Sequence, residues 1–137
     1  MKPFAICLLL IGACSKPSGL GAVDPVRDGT NSVSVPDVQL ATDPASIDRG
    51  KELFTKKLCV TCHRIDGEKL IGPGLGGVAE RRTLRWIARM VVGPEKMVVE
   101  DPTAKQLLET YKTPMSNQSV DPIAELPLIL SYLRTLR

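Results

Sequence analysis

The sequence predicts an all-α domain of four to five short helices, on three observations. Helix-opening pairs stand before apolar stretches at Asp43-Pro44, Asp101-Pro102 and Asp121-Pro122, and Thr83 stands before a fourth. An Asp or Thr side chain caps a first turn, and proline suits the first helical position. Leu84, Ile87, Ala88 and Val91 recur at i, i+3, i+4 and i+7, the period of one buried helix face. Period-two alternation is confined to a short stretch around Val33, Val35 and Val38, so little or no strand is expected.

Bulk properties narrow the class. The chain has 137 residues, enough for one domain with extensions. Apolar residues make up 43 % and charged residues 24 %, a globular balance. Aromatics are only 4 %, so the core is filled by aliphatics or by something that is not protein. A net charge of +3 is too mild for nucleic-acid binding, though it can assist docking on an acidic protein partner. The four cysteines, Cys7, Cys14, Cys59 and Cys62, lack the scatter of a disulfide framework.

Residues 1–14 read MKPFAICLLLIGAC. The apolar run Phe4 to Ala13 spans ten residues. A membrane span needs about 20, so the run has the length of a signal-peptide core instead. It ends in Ile11-Gly12-Ala13-Cys14, which resembles a bacterial lipobox. Residues 1–13 are therefore expected to be a lipoprotein signal peptide that is removed, with Cys14 as the lipidation site. The alternative is a plain signal peptide with an incidental Cys14. Export to the periplasmic side of a bacterial membrane follows, with the membrane held through the N-terminal lipid. Residues 14–43, rich in Gly, Pro, Ser, Asp and Val, are expected to be a flexible tether, with a strand around Val33 to Val38 as the alternative. Such a tether reaches roughly 30 Å.

The domain is expected over 44–137. Its first helix opens at Asp43-Pro44 and runs through Gly50 and Phe54 toward Cys59. Gly50 inside it costs about 1 kcal/mol relative to alanine. Then comes Cys59-Val60-Thr61-Cys62-His63, a CxxCH motif. Two thiols at this spacing add across the two vinyl groups of a porphyrin, and the next residue can then bind the iron. A zinc site needs about four ligands, and no second Cys pair or second His is near. A thioredoxin-like pair would want a βαβ setting. The motif therefore predicts one covalently attached haem c on Cys59 and Cys62, with His63 on the metal.

Pro73 stands ten residues after His63, within Ile71-Gly72-Pro73-Gly74-Leu75. Thr83 then caps a helix through Val92, stopped by Gly93-Pro94. Arg81, Arg85 and Arg89 form a second stripe on it, read as a solvated face, a propionate contact or a docking patch. Asp101-Pro102 opens the next helix, with Ala104, Leu107, Leu108 and Tyr111 on its apolar face. The last helix is expected from Asp121-Pro122 to near Leu136, with a kink or a later start at Pro127, since an internal proline removes a hydrogen bond. His63 is the only histidine, so the sixth iron ligand is sought among Met90, Met97 and Met115. Met115 is preferred, in a polar loop before the last helix; Met97 is the alternative, and Met90 reads as core.

Taken together, residues 44–137 resemble the class I, mono-haem cytochromes c. The resemblance implies that Gly50 permits a close crossing of the first and last helices, with Phe54 beside it. It implies that the Pro73 carbonyl accepts the other imidazole N–H, that Leu75 lies on the haem face, and that Trp86 reaches a haem propionate. It also places an axial methionine where Met115 stands, although the order Pro114-Met115 reverses the family's frequent Met-Pro. The stretch from Arg81 to Gln118 is similar to the small cytochromes associated with bacterial nitrous oxide reductase.

The function implied is that of a non-enzymatic, monomeric electron carrier. It would pass single electrons to or from a periplasmic or membrane-bound respiratory enzyme, nitrous oxide reductase being one such acceptor. A permanent haem subunit of a larger oxidoreductase is the first alternative, and an open-site sensor or peroxidase the second. The small domain is expected to owe much of its core to the haem.

Overall fold

The computed structural model describes residues 32–137. The expected signal peptide, Cys14 and the first part of the tether lie outside the described residues. Within them the chain forms α1 (Pro44–Lys56), α2 (Val78–Arg81), α3 (Leu84–Val92), α4 (Pro94–Glu100), α5 (Pro102–Tyr111) and α6 (Leu126–Leu133), plus a 3-10 turn at Cys59–Thr61. No strand occurs among the described residues. The all-α expectation holds.

The caps act as their side chains dictate. The Ser46 N–H donates to Asp43 Oδ1 at 2.9 Å, the Trp86 N–H to Thr83 Oγ1 at 3.2 Å, and the Ala104 N–H to Asp101 Oδ1 at 2.9 Å. Each satisfies an amide that the first helical turn leaves open.

Two helices were not expected. Gly93-Pro94 does stop α3, but Pro94 also stands at the start of α4, where a missing N–H costs nothing. One short turn, α2, forms after Gly77, whose φ of 64° glycine adopts without strain. The last helix also differs from its expected start at Asp121. The Asp121 side chain caps only a turn, accepting from the Ile123 and Ala124 amides at 2.8 and 2.7 Å. Helix α6 starts at Leu126, which puts Pro127 in its first turn, and it ends at Leu133. The later start is how the chain accommodates the proline.

Helices α1 and α6 cross at Gly50. A Cβ there would collide with the Leu128 carbonyl oxygen and come within 3.0 Å of Tyr132 Cβ. Close approach of two backbones thus explains a glycine that propensity alone disfavours. Beside it the Phe54 and Tyr132 rings meet edge-on, with centroids 5.7 Å apart and planes at 61°. Around this crossing the core is aliphatic, with Leu126, Ile129 and Leu130 fully buried.

The tether expectation is corrected over its last stretch. Residues 32–42 are neither helix nor strand, yet Val33 and Val38 are buried in the core cluster. The Ala41 N–H donates to Ser131 Oγ at 2.9 Å, Arg85 pairs with Asp37 at 2.8 Å, and the Ser32 hydroxyl donates to Glu100 at 2.9 Å. Val33 and Val38, with Val35 and Leu40 partly buried against the same core, dock this segment, so packing extends before residue 44.

Candidate functional site

The 3-10 turn that carries the CxxCH motif is entered through Leu58, in the left-handed region at φ 59°. This sharp reversal ends α1 and turns Cys59 inward. The His63 N–H then donates to the Cys59 carbonyl at 3.0 Å, and the Gly72 N–H to the Cys62 carbonyl at 2.9 Å. These bonds draw the motif and the Ile71–Leu75 loop together. Cys59 and Cys62 are both half-buried and are not joined to each other. Burial pushes the Cys59 thiol above its ordinary range, with its own backbone and Lys57 acting the other way.

His63 Nδ1 lies 2.9 Å from the Pro73 carbonyl oxygen. A carbonyl only accepts, so Nδ1 carries the proton and Nε2 keeps its lone pair for a metal. Gly72 lets the loop pass close to the ring, since a Cβ there would stand 2.8 Å from His63 Cε1. Arg81 braces the same loop by donating to the carbonyls of Gly74 and Gly76.

All these groups face one cleft. Cys59, Cys62, His63, Pro73, Leu75, Trp86 and Met115 line it together, as does Met90. Met97 does not; it is fully buried in the core. The cleft opens to solvent and is lined mainly by aliphatic and aromatic side chains, among them Phe54, Leu75, Ile87, Leu107 and Leu133. Trp86 and Arg82 stand together in its wall. Trp86 is 4 % exposed and its Nε1 is buried without a hydrogen-bond partner among the described residues. The Arg82 guanidinium stacks 5.4 Å from the indole centroid.

Arg82 is a residue of the site that the stripe of Arg81, Arg85 and Arg89 does not reveal. Arg82 lies in extended backbone between α2 and α3, so helical spacing in the sequence does not place it beside Trp86. Of the arginine stripe Arg81 is exposed, whereas Arg85 and Arg89 are half-buried and so are not a solvated face. Arg81 holds backbone carbonyls, Arg85 pairs with Asp37, and Arg89 has Nε and Nη1 buried without a partner among the described residues.

Residues 47–137 match the family Cytochrome c. The chain belongs to the cytochrome c family. Among solved structures it is similar to a cytochrome c from Rhodothermus marinus, with 35 % identity, a TM-score of 0.68, and coverage of 74 % of this chain and 86 % of that one. An engineered cytochrome c from the same organism shows 34 % identity, a TM-score of 0.66 and coverage of 74 % and 87 %. The cytochrome c domain of a Pseudomonas putida protein shows 30 % identity, a TM-score of 0.54 and coverage of 62 % and 84 %. No curated protein matches. These relatives do not bear on the narrower likeness to nitrous oxide reductase cytochromes.

A cytochrome c binds one covalently attached haem c and transfers electrons, and the residues present fit that group. Two thiols and an imidazole freed at Nε2 line one apolar cleft. The unpaired Trp86 N–H beside a guanidinium suits an anionic acceptor, and left unmade in an apolar site such a bond costs about 1–3 kcal/mol. No helix among the described residues is long and apolar enough to cross a membrane.

Proposed function

We propose that this cytochrome c is a membrane-tethered carrier that passes single electrons to or from a respiratory redox enzyme, with His63 and Met115 as the axial ligands. The observation that carries the proposal is the shared cleft: both thiols, the Nδ1-protonated imidazole and Met115 line one cavity beside an apolar surface. Bound haem c supplies a one-electron iron couple. Cys59 and Cys62 would hold it covalently. His63 would bind the metal through Nε2, its ring fixed by the Pro73 carbonyl, which also strengthens its donation. Trp86 and Arg82 would orient the propionate end. Leu75, Val91 and Ile129 keep water from the cleft, and this burial together with a thioether ligand favours a raised potential.

Leu58, Val60, Ile65, Leu70 and Ile71 are exposed around the CxxCH motif, at 58, 40, 49, 45 and 47 %. That apolar surface supports brief docking of a partner protein near the haem edge. The tether reading rests on the lipobox-like Ile11-Gly12-Ala13-Cys14.

Met115→Ala is expected to abolish the long-wavelength methionine–iron absorption of the ferric protein and to let the ferrous protein bind carbon monoxide. A native ferrous protein that already binds carbon monoxide would refute His/Met ligation and favour a sensor or peroxidase. Cys14→Ser is expected to move the protein from the membrane to the soluble fraction of its host. If solubilised native membranes yield it in a stoichiometric complex by size-exclusion chromatography, it is a resident subunit rather than a carrier.

A further inference from the structure

We propose that residues 32–42 form a strap that positions α3, and with it the Trp86 and Met90 side of the haem cleft. The inference rests on the haem reading only for its cofactor readouts.

The strap grips α3 near both ends. In the first turn Arg85, its side chain 17 % exposed, pairs with Asp37 at 2.8 Å. Just past the last turn Val33 fills the notch at Gly93, where an added Cβ would meet Val33 Cγ1 and Cγ2 at 3.0 and 3.1 Å. Further bonds fasten the strap to its surroundings. Ser32 donates to Glu100 at the end of α4, the Ala41 N–H donates to Ser131 in α6, and the Ala41 carbonyl accepts from Arg134 at 3.5 Å. The segment therefore bridges α6 to the α3–α4 corner.

Helix α3 presents Trp86, Ile87, Met90 and Val91 to the cleft, whereas Arg85 meets the strap. Residues 85 and 87 point about 200° apart on a helix of 3.6 residues per turn. The helix is thus held between the strap on one face and the cofactor space on the other. Packed interiors transmit strain, so loss of the strap would shift the indole and the thioether against the haem. Asp37 and Arg85 are positioning residues: they act through α3.

The test uses the full-length holoprotein in three forms. One carries Val33→Ser with Val38→Ser, one carries Asp37→Lys, and one adds Arg85→Glu to Asp37→Lys. Exchange of the Ala41 amide reports docking of the strap, and exchange of the α3 amides reports the helix. Soret circular dichroism and the midpoint potential report the cofactor side. Release of the strap is expected to speed α3 exchange by about fivefold or more. The Soret spectrum and the potential are expected to move with it, and the charge swap to restore them. Arg49→Ala, which breaks an exposed pair with Glu52 within α1 and removes no bond of the strap, is expected to change none of these.

Faster Ala41 exchange with α3, Soret and potential all unchanged would overturn the proposal. So would a wild-type Ala41 amide that exchanges as fast as an unbonded one. If the valine variant fails to fold, Asp37→Lys, at a side chain 80 % exposed, still decides. Wild-type protein without covalent haem would refute the haem reading, while the exchange measurements would still judge the strap.

Discussion

Residues 59–75 build one side of the haem cleft from bonds between near neighbours, whereas the other side is assembled from α3, α5 and the loop at 113–118. On the first side His63 meets the Pro73 carbonyl, the Gly72 N–H meets the Cys62 carbonyl, and the Leu75 N–H donates to the Arg64 carbonyl at 2.9 Å. On the second, Trp86 and Met115 reach the cleft only because several helices dock. Asn117 ties the loop back by donating to the Val92 carbonyl at 3.2 Å. Short-range closure costs little chain entropy and long-range assembly costs more, so the two sides should respond differently to damage.

The largest expected effect comes from removing what joins them. A haem-free Cys59→Ser/Cys62→Ser variant is expected to lose most of its helical circular dichroism; native helix content would break the view that the cofactor completes the core.

Next is Met97→Ala, which removes a fully buried side chain from the core beneath the assembled side and is expected to cost about 2–5 kcal/mol. Denaturant unfolding measures that loss, and the methionine–iron absorption should survive it. Disappearance of that absorption with Met97 rather than with Met115 would reverse the ligand assignment.

Smaller still is Gly72→Ala on the locally closed side. It crowds the imidazole and is expected to cost about 1–3 kcal/mol. Its distinguishing mark would be a change in the iron–histidine stretching frequency, which Met97→Ala should leave alone.

The smallest effect is on acid stability. The Lys57 hydrogen bond, followed by the Asp121 amide, holds the Glu125 carboxyl below the usual glutamate range. A lowered carboxylate stabilises the fold above its unfolded value, near 4.3, and that contribution fades as pH falls through the lower folded value. Lys57→Ala should therefore lower the melting temperature slightly near neutrality and converge on the native profile at the lowest pH, which flattens the acid limb.

The same contrast explains what could be read from the chain. The CxxCH motif, the Pro73 loop and the Asp43, Thr83 and Asp101 caps are local patterns, and each stands where the sequence places it. Helix α4 was hidden because a proline that ends one helix can also begin another. The docking of residues 32–42 was hidden because Val33 gains its meaning only from the Gly93 notch, and Ala41 only from Ser131 of α6. Arg82 escaped notice for the same reason, since its stacking on Trp86 needs the α2–α3 turn to bring it there.

Trp86 is the only tryptophan in the chain, and it is buried against the cofactor cleft. A porphyrin beside an indole drains its excited state, so the intact protein should be almost dark in ultraviolet emission. Light would return only as the ring and the indole separate. The molecule thus holds an internal gauge of its own opening, with no dye or label required.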